Sequence, residues 1–128
     1  MRTFHSPRSP LTPEVTLDPA RGSLRISGEC YPEDPGVFFG PLLASLWPAP
    51  AGARPARLET TLRLSYVNSA STMWLRRLLS VLDTLAAEGT AVVVSWEYDP
   101  EDDVALELGQ DLTYELRHLL VTERPIAA

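Results

Sequence analysis

A chain of 128 residues, 45% of them hydrophobic, suffices for one domain with a single core, and 22% charged residues is too few for a disordered chain. The formal net charge of -6 argues against a general binder of nucleic acid or of an anionic membrane, and favours a basic partner surface. All 11 basic residues are Arg, and between Leu78 and Leu116 there are ten acids and no base. That half of the chain therefore carries a negative surface. The one cysteine, Cys30, allows no intrachain disulfide and no Cys-based metal site. The N-terminus lacks the apolar stretch of a secretory signal, and no apolar run approaches the roughly 20 residues of a membrane span. The expectation is a soluble cytoplasmic protein.

In chain order, residues 1 to 12 hold Pro7 and Pro10 among Ser, Thr and Arg, and read as a flexible tail. The domain is expected over residues 13 to 122, with 123 to 128 frayed. Residues 14 to 18 and 23 to 27 alternate apolar and polar around a Pro-Ala-Arg-Gly turn, which predicts a β-hairpin. Asp34 is a good helix N-cap and Pro35 fits the first helical position. Phe38, Phe39, Leu42, Leu43 and Leu46 then recur at helical spacing, and Pro48 ends the helix. Residues 48 to 57, rich in Pro and Ala, read as an exposed connector.

Leu58, Thr60, Leu62, Leu64 and Tyr66 alternate with polar neighbours and predict a half-buried strand. From about residue 71 to 88, Leu75, Leu78, Leu79, Leu82, Leu85 and Ala86 form one helical stripe, with Gly89 suited to the position after the helix. Residues 91 to 98 predict a second strong strand. Strand, helix and strand with short connections imply parallel pairing and a right-handed crossover. Residues 100 to 109 read as a short helix with an acidic first turn, and 116 to 121 as a last strand. The fold class expected is α/β: a single small domain with a mixed four- to five-stranded sheet, helices packed on it, an N-terminal β-hairpin and a central right-handed βαβ unit.

The residues Asn68, Ser69, Ala70, Ser71 and Thr72 lie where that central strand enters the long helix. Free backbone N–H groups and the positive dipole end favour an anion there, and strand ends are where open α/β sheets place their sites. A phosphorylated Ser would suit the position. The plainer reading is that Ser69 or Ser71 caps the helix. A nucleophilic Ser would need a base, and the histidines, His5 and His118, lie in the tail and the last strand. The acidic run Glu97, Asp99, Glu101, Asp102 and Asp103 could hold a divalent cation, start a helix, or dock a basic partner. Its spacing does not match an EF-hand loop. Trp74, in the first turn of the long helix, could serve as an interface anchor or as core, and Arg76 and Arg77 could pair with a partner carboxylate or a phosphate. Cys30 reads as structural.

Four segments, in order, carry a resemblance. They are Thr12-Pro13-Glu14-Val15 with Asp18 and Gly22; Ile26-Ser27-Gly28-Glu29-Cys30-Tyr31-Pro32-Glu33-Asp34; Tyr66-Val67-Asn68-Ser69-Ala70-Ser71; and Trp96-Glu97-Tyr98-Asp99 with its acidic continuation. Together they resemble the SiaC-type regulatory phosphoproteins, whose fold is similar to the STAS domain of anti-sigma-factor antagonists. The resemblance implies a loop phosphoacceptor, modified by a GHKL-type serine/threonine kinase and restored by a PP2C-like phosphatase. It also implies that the unphosphorylated form activates a diguanylate cyclase. Carried over by position, the acceptor is Ser69, where the family has Thr; the family's next Ser is Ala70 here, and Ser71 is the rival. The expected function is a non-enzymatic phosphoswitch without cofactor or metal. Asn68, Ser69, Ser71, Thr72, Trp74 and Arg76 are the expected partner-binding residues, with no nucleic acid or membrane as partner. The alternatives are a constitutive interaction domain, or a small metal-dependent hydrolase built on residues 97 to 103.

Overall fold

Alternation and helical spacing resolve into regular elements in the computed structural model, which describes residues 1–126 apart from the Ala51 side chain. Along the chain these are β1 (Phe4–Ser6), β2 (Glu14–Asp18), β3 (Ser23–Cys30), α1 (Pro35–Leu46), β4 (Arg57–Val67), α2 (Ser69–Ala87), β5 (Ala91–Tyr98), α3 (Asp103–Thr113) and β6 (Leu120–Pro125). The strands make one six-stranded sheet in sequential order. β1 pairs antiparallel with β2 and β2 with β3, whereas β3, β4, β5 and β6 are mutually parallel.

The hairpin forms as expected, its turn closed by the Gly22 N–H on the Pro19 carbonyl, with Gly22 at φ 64. The strands then advance in one direction across the sheet. With right-handed crossovers throughout, all three helices land on the same face. β4 shows the consequence: Leu58, Thr60, Leu62 and Leu64 are buried under the helices, while Arg57, Glu59, Arg63 and Ser65 face outward. The core joins Val15, Leu17, Leu24, Ile26, Leu62, Val94 and Trp96 from the strands to Phe39, Leu42 and Leu46 of α1 and the Leu stripe of α2. Each such Leu buried contributes about 2 kcal/mol.

The sheet is larger than the four or five strands expected, and both corrections lie at its edges. Residues 1 to 12 are not a tail, because β1 pairs with β2 and the flanking residues are tied down. The Arg2 N–H donates to the Ser45 carbonyl at 2.9 Å, and the Arg8 guanidinium donates to the Ser27 carbonyl and hydroxyl, each at 3.2 Å. At the other edge, β6 begins at Leu120, not Leu116, and continues through Glu123, Arg124 and Pro125, which read as frayed. The Asp83 carboxylate accepts the His118 and Leu119 N–H groups at 2.8 and 3.2 Å, holding the preceding residues in a turn. Of the expected frayed end, Ala127 and Ala128 lie outside the described residues.

The 48 to 57 connector is also more anchored than its composition implies. A single 3-10 turn spans Ala51–Ala53. Beyond it the Arg54 guanidinium pairs with Glu88 at 2.8 Å, donates to the Ala49 carbonyl and lies 5.2 Å from the centre of the Trp47 ring.

Candidate functional site

Three strand ends and two helix starts meet where β4 runs out of the sheet. A register shift between Gly28 and Glu29 in β3 leaves Cys30 opposite Val67. The chain then turns immediately: the Asn68 N–H donates to the Cys30 carbonyl at 3.0 Å. Asn68, extended at φ -76 and ψ 160, is the N-cap of α2. Its side-chain oxygen accepts the Ser71 N–H at 3.0 Å, and its amide nitrogen donates to the Pro32 carbonyl at 3.2 Å. One side chain thus closes the helix start and fastens it to the loop before α1.

This arrangement corrects the expectation that Ser69 or Ser71 caps the helix. With Asn68 in that role, Ser69 becomes the first helical residue, exposed, its hydroxyl free of protein hydrogen bonds among the described residues. Among the helix's first N–H groups, those of Ser71 and Thr72 are satisfied by Asn68, while those of Ser69 and Ala70 remain directed outward, as the geometry of a helix start requires. Thr72 is half-buried, and its hydroxyl donates to the Asn68 carbonyl at 3.3 Å.

Ser71 is the contrary case. It is 0% exposed, and its hydroxyl has no regular hydrogen-bond partner. It lies against Cys30, whose thiol burial pushes up to about 11, with the Ser71 hydroxyl drawing it back. A kinase or a partner surface cannot reach Ser71 in this fold, so it is withdrawn both as rival acceptor and as a contact residue. Of the two readings of Trp74, the structure shows the packing one. Half-buried, it stacks parallel on Phe39 of α1 at 6.5 Å, and the Arg77 guanidinium covers it at 4.6 Å. It joins α2 to α1 and leaves part of its surface exposed. Arg76 is exposed and donates to the Asp111 carbonyl at 3.3 Å, bridging α2 to α3.

The acidic run is occupied by local structure. Asp99 accepts the Glu101 N–H at 2.9 Å, and Asp102 is the N-cap of α3, accepting the Ala105 N–H at 3.0 Å. Among the described residues no group of three His, Cys, Asp or Glu side chains is placed to hold a metal ion.

What the periodicity missed is an apolar surface at the end of β4. Tyr66, placed on the core face by alternation, is 56% exposed and meets the Tyr31 ring edge-on at 5.1 Å. Met73 is 52% and Val104 76% exposed. A cleft of about 240 Å³ runs between the end of β4 and α3, lined by Tyr66, Val67, Val104 and Leu108 among others. The available signal was Val104 itself, an apolar residue in an otherwise acidic first turn.

Two layers, an uncovered sheet face and an exposed hydroxyl at a capped helix start define a small α/β domain suited to docking proteins. Residues 7–124 match the model of the SiaC family regulatory phosphoprotein. A relative in Pseudomonas aeruginosa (strain UCBPP-PA14), itself an uncharacterized protein, is 31% identical over 112 residues, 87% of each chain. The crystal structure of apo-SiaC from Pseudomonas aeruginosa is similar at a TM-score of 0.81 and 25% identity, covering 97% of this chain and 99% of that one. A chain in the structure of the diguanylate cyclase SiaD in complex with its activator SiaC gives 0.78 at 24% identity, covering 94% and 99%. The chain belongs to the SiaC family of regulatory phosphoproteins. Among the described residues no helix is long and apolar enough to cross a membrane.

Proposed function

We propose that this protein is a non-enzymatic, cytoplasmic phosphoswitch. Its unphosphorylated form binds and activates a diguanylate cyclase, and phosphorylation of Ser69 releases the partner. A GHKL-type kinase adds the phosphate and a PP2C-like phosphatase removes it. The family assignment and the SiaC–SiaD complex of the structural neighbour support the partner class. The observation that carries the switch is the free, exposed Ser69 hydroxyl at the first position of a helix already capped by Asn68.

The chemistry is local. A phosphate on Ser69 brings a charge of about -1.5 to -2. The outward N–H groups of Ser69 and Ala70 and the helix dipole stabilise it where it forms. Asn68 keeps the helix start in place, so the domain need not rearrange. The partner loses instead: its contacts beside Asn68, Ser69, Thr72 and Arg76 would face an unmatched charge, which costs several kcal/mol in a buried interface.

The test is cyclase affinity for the parent chain, Ser69→Ala, Ser69→Asp and the protein phosphorylated on Ser69. The alanine variant should bind like the parent, and the aspartate and phosphorylated forms at least about tenfold more weakly. Equal binding by all four forms would leave a constitutive interaction domain in place of a switch.

A further inference from the structure

We infer that the cleft between the end of β4 and α3 seats a basic amphipathic segment of the protein partner, extending the docking surface beyond the Ser69 loop. The inference rests on the reading of this chain as a partner-binding protein, and deepens it by naming the chemistry of the segment that binds.

The cleft is apolar inside and predominantly acidic around. Tyr66 and Val67 form one wall and Val104 and Leu108, one turn apart on α3, the other. A second hollow, of about 220 Å³, continues it past Arg63, Leu64, Ser65, Asp102 and Ala105 towards Glu97 and Asp99, so that three carboxylates face one guanidinium. Large apolar side chains as exposed as Tyr66 and Val104 in one patch, next to a functional loop, mark an interaction surface. The Arg76–Asp111 hydrogen bond fixes how α2 and α3 lie. Both helices cross back between parallel strands and so run the same way. Ser69, Met73 and Arg76 recur on one face of α2, and Val104, Leu108 and Asp111 on one face of α3, so the phosphoacceptor and the cleft wall lie on the faces that this hydrogen bond joins.

Charge complementarity selects the occupant. Asp99, Glu101, Asp103, Glu107 and Asp111 are exposed around the cleft. Among the described residues none of them makes an ion pair with an Arg. The bases nearest to them are Arg63, which lines the second hollow, and Arg76, bound to the Asp111 carbonyl, and the five carboxylates outnumber these two. A segment that places an apolar side chain between Tyr66 and Val104, and Lys or Arg on its flanks, satisfies both features. An acidic segment, or a second copy of this acidic chain using the same face, does not.

The test uses the full chain and two synthetic amphipathic peptides, one of Lys and Leu and one of Glu and Leu, with amide chemical shifts as the readout. The Lys–Leu peptide should move the amides of Tyr66, Val104 and Leu108, and the Glu–Leu peptide should not. Val104→Asp separates seating from simple attraction, because it adds negative charge at an exposed position that the fold does not depend on. Seating in the cleft predicts about tenfold weaker binding of the Lys–Leu peptide by that variant. Equal or tighter binding, or shifts confined to Glu107, Asp111 and Glu115, would overturn the inference. So would concentration-dependent shifts of the same amides without peptide, which assign the cleft to a second copy. These readouts contain no cyclase and no phosphate, so a failure here is distinguishable from a failure of the Ser69 test.

Discussion

Asn68 caps the helix, and Ser69 and Ser71, two residues or just over half a helical turn apart, face opposite ways, one exposed and one buried. An Asn at the cap satisfies the Ser71 N–H with its own side chain, which leaves the Ser69 hydroxyl exposed and turns Ser71 inward onto Cys30. The composition Asn-Ser-Ala-Ser-Thr does not say which hydroxyl is free; the one-residue offset between cap and first helical position does. The same inward pocket gives a pH signature. Burial raises the Cys30 thiol from 9.0 to about 11. Below pH 9 both folded and unfolded chains hold the proton, and the stabilisation is complete. As pH rises from about 9 to 11, the unfolded thiol ionises first, and stability falls through this window. Urea unfolding of the parent should therefore lose about 2 kcal/mol more across that range than Cys30→Ala, in which no thiol titrates. A parallel decline in both proteins would trace the loss to other groups, such as the tyrosines.

At the scale of elements, strong periodicity transferred well. The alternation of residues 58 to 66 is β4, the Leu stripe from Leu75 to Leu85 is the buried face of α2, and Asp34 caps α1 with its carboxylate on the Val37 N–H. The ends transferred less well, since α2 starts at Ser69 and α3 runs from Asp103 to Thr113. End positions depend on hydrogen bonds to other segments, as Asn68 shows with Pro32 and Cys30. α3 also illustrates a contact that no period encodes. Gly109 faces Trp96 of β5 so closely that an added Cβ would lie 2.5 Å from the indole nitrogen. That nitrogen donates to the Ala105 carbonyl at 3.0 Å, seating the helix on the sheet. Gly109→Ala gains helix propensity but must push the indole away, and should cost about 1 to 3 kcal/mol. A melting temperature at or above the parent's would show that the indole gives way freely. Any tilt of α3 that follows should also widen the cleft beside Tyr66.

Over the whole molecule, the sheet is open on one face and ends in two edges built from weakly patterned sequence. β1 is three residues long, and the nearby prolines hide it. It forms because β2 offers an unpaired edge, and its neighbours fasten it at both ends: Arg2 on Ser45 and Arg8 on Ser27. Removing residues 1 to 8 should lower stability by about 2 kcal/mol, the scale of a few lost hydrogen bonds, and expose the β2 edge to self-association. Unchanged unfolding and a monomeric truncated chain would show that β1 contributes nothing.

The amino-acid sequence by itself determined the α/β class, the hairpin, the central βαβ unit, the acidic half of the chain and the position of a hydroxyl loop at a strand end. Each follows from local periodicity, capping chemistry or composition, and the four ordered segments sufficed for the family. Only the tertiary structure decided that Ser69 is free while Ser71 is buried, that Trp74 packs on Phe39, that the tail is a strand, and that Tyr66 and Val104 line one exposed cleft. Those outcomes depend on which distant segments meet, and a side chain's exposure is set by its neighbours in space, which periodicity along one element does not contain.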